Sequence, residues 1–435
     1  MKNSITKNTR NIRDILAKAL KPEILSLDEV SSLINLRDRE LWEEVFDAAR
    51  QLKEKIYGSR IVLFAPLYLS NECVNNCGYC GFRKGNGKAR RKTLSVDEAV
   101  EEAGMLADRG YKRLLLVTSE HPKLAGVDYL EEVITEIYKR TDIRILHLNA
   151  APMSVEDFRR LKTCGIGVYQ CFQETYHFPT YKKMHPSGPK ADYGWRLGVM
   201  DRAIEAGFED IGMGVLLGLY DWRWDVWAVI AHSHRLIRKY GFGPHTLSVP
   251  RLQPAQGFKP GKTNRVSDDD FRKIVAIYRL ALPYVGVVIS TREPSELRDE
   301  LLSMGASQVS AGSKTSPWGY VEDGDTEQFE TGDKRSLEEV IEKIAGMGLI
   351  PSLCTACYRE GRSGEKFRQI AQQGNIKKFC RENALLSLKE YIEDHAPDNI
   401  KEHLVKRLKQ ESAKSSNGLF DKFKLIEQGK RDVHI

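Results

Sequence analysis

The chain has 435 residues, 41% of them hydrophobic and 29% charged, with a net charge of +7 at pH 7; this fits a globular protein of two or three domains, or one large α/β domain with extensions. The basic excess is too mild to argue for a nucleic-acid partner, so none is expected. The most apolar stretch, residues 61–69, is far shorter than the ~20 residues of a membrane span, and the polar start MKNSITKNTRNIRD carries no export signal, so no membrane association and a cytoplasmic location are expected.

The first sixty residues read as helical, with Leu41, Val45, Ala48 and Leu52 following a helical repeat in a segment rich in Arg and Glu. From Ile61 onward, short apolar runs alternate with amphipathic segments. Strands are expected at IVLFAPLY from Ile61, RLLLVTS from Arg113, IRILHLN from Ile143 and GVYQCFQE from Gly167. Four more follow at IGMGVLLGLY from Ile211, HTLSVPRL from His245, VGVVIST from Val285 and ASQVSAG from Ala306. Several intervening helices open with a cap of the Ser-x-x-Asp/Glu kind: Ser95 with Glu98, Ser154 with Asp157, Ser267 with Asp270, Ser336 with Glu339.

Strand-like runs alternating with helices are what a parallel (β/α)8 TIM-type barrel requires. A doubly wound open sheet satisfies the same local pattern, because periodicity does not report closure. The expected fold is α/β: an N-terminal helical extension over residues 1–60, the barrel over 61–349, and a C-terminal helical domain over 350–435, where the composition turns rich in Lys, Arg and Glu. Basic runs such as residues 89–92 (ARRK) and Lys377-Lys378 read either as solvated faces or as a landing site for an acidic redox partner.

Eight cysteines, six of them in two sets, point in a cytosolic protein to metal or redox chemistry rather than to disulfides. In CVNNCGYCGF, Cys73, Cys77 and Cys80 stand on a turn-prone loop directly after the first strand, which is the C-terminal face of a barrel. Thiolates are soft ligands for iron–sulfur clusters, zinc or copper(I), and structural zinc closes with four ligands. No fourth ligand stands nearby. Three ligands on a four-iron cluster leave one iron open to a substrate or cofactor; a zinc site completed from afar and ordinary buried cysteines are the alternatives. Cys354, Cys357 and, after twenty-two intervening residues, Cys380 form a second trio. It reads as an iron–sulfur cluster with one non-cysteine position or as a zinc ribbon short of a ligand. Cys164 and Cys171 match no motif and are expected to be buried structural cysteines.

The Cys-x3-Cys-x2-Cys spacing, with Tyr79 before the last cysteine, resembles the signature of radical S-adenosylmethionine enzymes. The resemblance implies a full or partial (β/α) barrel and a [4Fe-4S] cluster on Cys73, Cys77 and Cys80 whose open iron chelates S-adenosylmethionine. An electron from a low-potential reductant, ferredoxin or flavodoxin, then releases a 5′-deoxyadenosyl radical. Thr118-Ser119-Glu120, ending the second strand, is similar to the motif that holds the methionine amino group. Gln173 and Glu174 end the fourth strand, where the family contacts the ribose or the aminoacyl end. Gly212, Gly214 and Gly218 either let the cofactor approach closely or serve tight packing.

With CVNNCGYCGF, the segments YQCFQETYH, GVLLGLYDWR, GPHTLSVPRLQPA, ISTREP, SAGSKT and CTACYREGRSGEKF resemble the tyrosine lyase family of [FeFe]-hydrogenase maturation, over about residues 60–410. The related lyase family of thiamine thiazole synthesis shares the barrel segments but lacks the C-terminal cysteine set. The implied chemistry begins with hydrogen abstraction from the amino group of L-tyrosine. Cleavage of Cα–Cβ then gives p-cresol and dehydroglycine. The latter yields carbon monoxide and cyanide on an auxiliary [4Fe-4S] cluster held by Cys354, Cys357 and Cys380. An additional labile iron, held partly by a histidine and by free cysteine, belongs to this picture, and the product passes to other hydrogenase maturases. His245, which starts the sixth strand at the opposite face, is the expected histidine ligand.

Arg292, ending the seventh strand, is the expected counter-charge for the tyrosine carboxylate, since a guanidinium pairs both oxygens. Ser310 and Tyr68 are similar to substrate contacts in relatives acting on aromatic amino acids, or else fill the barrel. Arg251 either reaches a ligand carboxylate or serves a structural ion pair. Two other functions stay open: a lyase that stops at dehydroglycine, and a non-catalytic iron–sulfur scaffold.

Overall fold

The computed structural model describes residues 2–435 apart from 260, 262, 263, 323–325, 414 and 416. Its strands in chain order are β1 (Arg60–Ser70), β2 (Arg113–Thr118), β3 (Ile145–Asn149), β4 (Ile166–Gln170), β5 (Ile211–Gly214), β6 (Thr246–Ser248), β7 (Gly286–Ile289), β8 (Gln308–Ser310) and β9 (Ile350–Ser352). All are parallel, and β1 hydrogen-bonds to both β2 and β8, so β1–β8 close into the expected barrel and the open-sheet alternative falls. Each of the eight strands overlaps an expected segment.

The expected caps form as read. Ser95 and Ser336 close full capping boxes with Glu98 and Glu339, and Ser154 and Ser267 accept from the backbone N–H of Asp157 and Asp270. Each satisfies an orphan donor and contributes about 1 kcal/mol. Leu41, Val45, Ala48 and Leu52 are buried on the helix Arg39–Tyr57. That helix packs on both the barrel helix Asp268–Ala281 and the C-terminal helix Ile376–Asp394, tying the two ends of the chain together. Among the described residues no helix is long and apolar enough to cross a membrane.

β9 is an element with no signal in the sequence reading. Its three residues pair with the start of β1, Arg60↔Ile350 to Val62↔Ser352, while the later part of the same strand, from Ala65, pairs with β2. Pro351 has no N–H to donate and so is confined to such an edge. β9 therefore delivers the chain to the N-terminal face of the barrel, and Cys354 follows two residues later. Cys73 follows the opposite end of the same β1 strand.

The barrel interior has two zones. Near the C-terminal ends Phe64, Tyr68, Phe82, Leu115, Val117 and Val288 form an apolar cluster separate from the main core, with Cys73 and Cys80 packed against it. Further down the interior is polar, holding the buried His147, Gln170, Thr246 and Gln308. Gly212 makes room for this zone: a Cβ there would lie 2.5 Å from Gln170 Cγ and 2.8 Å from Thr246 Oγ1. At Gly214 the Cβ would meet the backbone oxygen of Ser248 at 2.9 Å, so these two glycines serve tight packing.

Candidate active site and second thiol site

The first cysteine loop is fixed by polar side chains that need no metal. A bulge between Tyr68 and Ser70 ends β1 and turns the chain. The guanidinium of Arg91 then clamps the loop, donating to the carbonyls of Asn71, Phe82 and Arg83 at 2.7 Å each. Asn75 donates to Glu120 Oε2 at 2.6 Å and accepts from the Lys190 N–H at 2.9 Å, bracing the loop against two other segments. The chain also crosses itself closely after Cys80, where a Cβ on Gly81 would stand 2.3 Å from the carbonyl oxygen of Glu327. Backbone cannot yield as a flexible side chain does, so Gly81→Ala is expected to destabilise the protein by about 1–3 kcal/mol. Iron bound per chain should drop with it; normal iron content at an unchanged unfolding midpoint would contradict this account.

Of the sequence-derived residues, Cys73, Cys77, Cys80, Tyr68, Thr118, Ser119, Glu120, Glu174, Arg292 and Ser310 border one cavity of about 220 Å³ at the C-terminal ends of the strands. Two others do not. Gln173 points away from the axis toward Met200 and His232, and its Nε2 has no hydrogen-bond partner. The strand period of two explains this: Gln170, Phe172 and Glu174 face inward, and Gln170 is the polar residue of this strand that the sequence reading missed. Arg251 is taken up by Glu293, whose Oε2 lies 2.6 Å from Nε, and by Asp268 at 2.7 Å, the structural ion-pair alternative.

Electrostatics divide the cavity. Glu174 adopts a left-handed φ of +68°, strain of about 1–3 kcal/mol for a non-glycine residue that its surroundings must hold in place. Lys190 Nζ at 2.6 Å and Arg196 at 3.3 Å hold it. Burial would raise this carboxyl, but the two cations outweigh it and keep the group at about 2, so it is ionised at neutral pH. Arg292 is the opposite case. It lies over the Phe329 ring at 3.2 Å and donates weakly to the Arg251 carbonyl at 3.4 Å. Among the described residues no carboxylate forms an ion pair with it, leaving a guanidinium over the cavity ready for an anionic ligand. Tyr68 donates to Gln328 Oε1 at 2.8 Å, and burial pushes its phenol up, so it stays protonated.

The second trio lies at the other mouth of the barrel. The Arg113 guanidinium donates to the Cys354 carbonyl at 3.0 Å, and the Ala356 N–H points at Cys354 Sγ at 3.4 Å. A hydrogen bond from Cys380 outweighs burial and pulls Cys357 well below the usual thiol range, aided by Arg60 and Arg362. Arg60 is half-buried beside all three thiols, and its buried Nε has no partner. His245 is here too: its Nδ1 meets Asp210 Oδ1 at 2.9 Å, and its ring stacks on Phe367 at 4.2 Å and lies 5.6 Å from Tyr358. Asp210 in turn accepts from the Gly364 N–H at 3.2 Å, so this carboxylate orients the imidazole and anchors the C-terminal helix Gly364–Gln372. Cys171 is buried, as expected, whereas Cys164 is only half-buried.

Among the described residues no three Cys, His, Asp or Glu side chains converge as the ligands of a single ion do. Three thiols spread around a space suit a polynuclear cluster, whose ligand sulfurs bind different irons. In the first set, burial pushes Cys77 to about 11 and Cys80 to about 12, so a cationic cluster core would have to offset that burial for the thiolates to form. The donor set fits an iron–sulfur cluster better than zinc.

The comparisons agree with this geometry. The Radical SAM superfamily matches residues 67–231, and the Biotin and Thiamin Synthesis associated domain matches residues 248–350. Barrel, strand-end thiols and these matches define a radical S-adenosylmethionine enzyme, the class that carries a four-iron cluster with S-adenosylmethionine. The 2-iminoacetate synthase of Salmonella typhimurium is 35% identical over 337 residues, covering 77% of this chain and 88% of that one. A crystal structure of HydG, a maturase of the [FeFe]-hydrogenase, is 43% identical with a TM-score of 0.95, over 100% of this chain and 98% of that one. HydG from Carboxydothermus hydrogenoformans is 42% identical with a TM-score of 0.86, over 98% and 95%. The chain belongs to the HydG maturase family.

Proposed function

We propose that the chain cleaves L-tyrosine to p-cresol and dehydroglycine at the upper cavity and turns the latter into carbon monoxide and cyanide at the lower thiols, for hydrogenase active-site assembly. The observation that carries this reading is the pair of three-thiol sites at opposite mouths of one barrel, in a chain matched over its whole length by HydG. When bound at Cys73, Cys77 and Cys80, a reduced four-iron cluster with S-adenosylmethionine supplies a 5′-deoxyadenosyl radical.

The chain's own residues do the positioning. Arg292 takes the tyrosine carboxylate as a bidentate pair, with Tyr68 and Ser310 bordering the same space. Thr118, Ser119 and Glu120 line the wall beside the cysteines and serve the methionine end of the cofactor. Glu174, fixed by Lys190 and Arg196, offers a permanent carboxylate to ribose hydroxyls or an amino group. The apolar Phe64, Leu115, Val117 and Val288 exclude water from the reacting centre. At the lower site, Cys354, Cys357 and Cys380 hold the auxiliary cluster, with His245 oriented by Asp210 as the ligand of a labile iron that free cysteine also serves.

The 2-iminoacetate synthases favour a second reading, a lyase that stops at dehydroglycine. One assay separates the two. After anaerobic reconstitution with dithionite, S-adenosylmethionine and tyrosine, 5′-deoxyadenosine, p-cresol, carbon monoxide and cyanide are measured together. Deoxyadenosine without p-cresol would overturn both readings; p-cresol without the diatomics would leave only the second. Loss of a charge-assisted pair costs about 1.5–3 kcal/mol. Arg292→Met is therefore expected to raise the KM for tyrosine roughly ten- to a hundredfold while deoxyadenosine still forms; an unchanged KM would remove Arg292 from the substrate site.

A further inference from the structure

We propose that the exposed basic face above the first cysteine loop is the docking surface for an acidic one-electron carrier protein. The inference rests on the reading that Cys73, Cys77 and Cys80 hold a cluster that must be reduced.

Three segments meet at this face through backbone bonds. The Lys84 N–H donates to the Asn75 carbonyl at 2.7 Å, the Asn76 N–H to the Ser187 carbonyl at 3.3 Å, and the Gly78 N–H to the Met184 carbonyl at 2.9 Å. Gly78, between the second and third cysteines, is itself exposed, so the cluster loop reaches the surface here with Met184 beside it. Electron transfer weakens steeply with distance, which favours entry where the cluster loop itself is exposed.

The two segments that flank the window, residues 83–92 and 178–190, carry charge of one sign and contain no Asp or Glu. Within them Lys84, Lys88, Lys182 and Lys183 are exposed and form no ion pair among the described residues. The neighbouring cations are already used: Arg91 clamps the loop, Lys92 pairs with Glu98 at 2.6 Å, and Lys190 holds Glu174. Of the basic run 89–92, Arg91 and Lys92 are thus structural, and the unpaired lysines lie outside it. Phe178, 49% exposed, lies 5.5 Å beneath Lys182 Nζ and adds an exposed aromatic ring to the face. Exposed cations without partners on the segments flanking the cluster loop gain from a partner of opposite sign, which also speeds encounter in a salt-dependent way. In the reaction one electron leaves the carrier and enters the oxidised cluster, and no bond forms or breaks.

The test uses a fourfold variant, Lys84→Gln, Lys88→Gln, Lys182→Gln and Lys183→Gln, reconstituted alongside the wild type. Oxidised flavodoxin, an acidic carrier, is titrated against each protein at low and high salt and followed by flavin fluorescence. The wild type should bind it, with affinity falling as salt rises, and the variant should bind about tenfold more weakly at low salt. Deoxyadenosine formation driven by reduced flavodoxin should fall in parallel, while formation driven by dithionite should not change. Equal affinity and equal flavodoxin-driven rates would overturn the proposal. An equal loss with dithionite would overturn it too, by assigning the lysines to loop structure. Wild-type protein that makes no deoxyadenosine with dithionite would instead refute the cluster reading, and the binding titration would still report on the face.

Discussion

Cys77→Ser is expected to abolish 5′-deoxyadenosine and p-cresol together. Cys77 is the most buried of its trio, next to the Lys190, Glu174 and Arg196 charges. Serine offers a hard, weakly acidic oxygen where soft iron requires thiolate, so the cluster is lost rather than retuned. Even outer-shell partners of metal ligands are worth about 10–100-fold, and removal of a ligand should exceed that range. The scaffold should survive, because Arg91, Asn75 and the Asn71 side chain, which donates to the Arg90 carbonyl at 2.8 Å, hold the loop without metal. Two measurements therefore accompany the activity: iron per chain falls by one cluster, and variant and wild type, both stripped of metal, unfold at the same temperature. A variant that still cleaves S-adenosylmethionine would show that the open coordination site does not depend on this trio.

The upper site was legible in the sequence to the extent that its residues are local. The cysteine loop, Thr118-Ser119-Glu120 and Arg292 all sit at the ends of strands whose apolar runs and serine caps mark them, and barrel closure turns strand ends into one mouth. Gln173 was misassigned by one residue, an error the two-residue period alone could have caught, since Glu174 facing inward requires Gln170 to do so as well. Lys190 and Arg196 could not be read. A buried carboxylate demands a cation, but the segment that supplies them, residues 177–198, has short irregular helices and no periodicity pointing at Glu174. β9 was equally silent: a three-residue strand centred on Pro351 has no alternation, and only its pairing with β1 defines it. The lower site depends on that element. Nothing local to Arg60 announces that it lies beside Cys354, Cys357 and Cys380.

Cys354→Ala should separate the two halves of the reaction. Cys354 belongs to the opposite mouth, reached by β9 along the start of β1, whereas Cys73 follows that strand's far end. The residues bordering the upper cavity include none of the lower trio and not His245. Distant sites without shared partners act independently to within a few tenths of a kcal/mol. Formation of p-cresol should thus stay within about twofold of the wild type, while carbon monoxide and cyanide disappear and dehydroglycine escapes to hydrolyse. The interior between the sites favours this order. Gln170, His147, Thr246 and Gln308 line it with hydrogen-bonding groups, and Thr246 Oγ1 and His147 Nε2 are buried without partners. A small polar imine satisfies such groups, whereas p-cresol would present them with an apolar ring. Trapping glyoxylate at the rate of p-cresol release is the measurement. Loss of p-cresol in this variant would mean that the lower thiols support the upper chemistry, and the division of labour between the two mouths would fall.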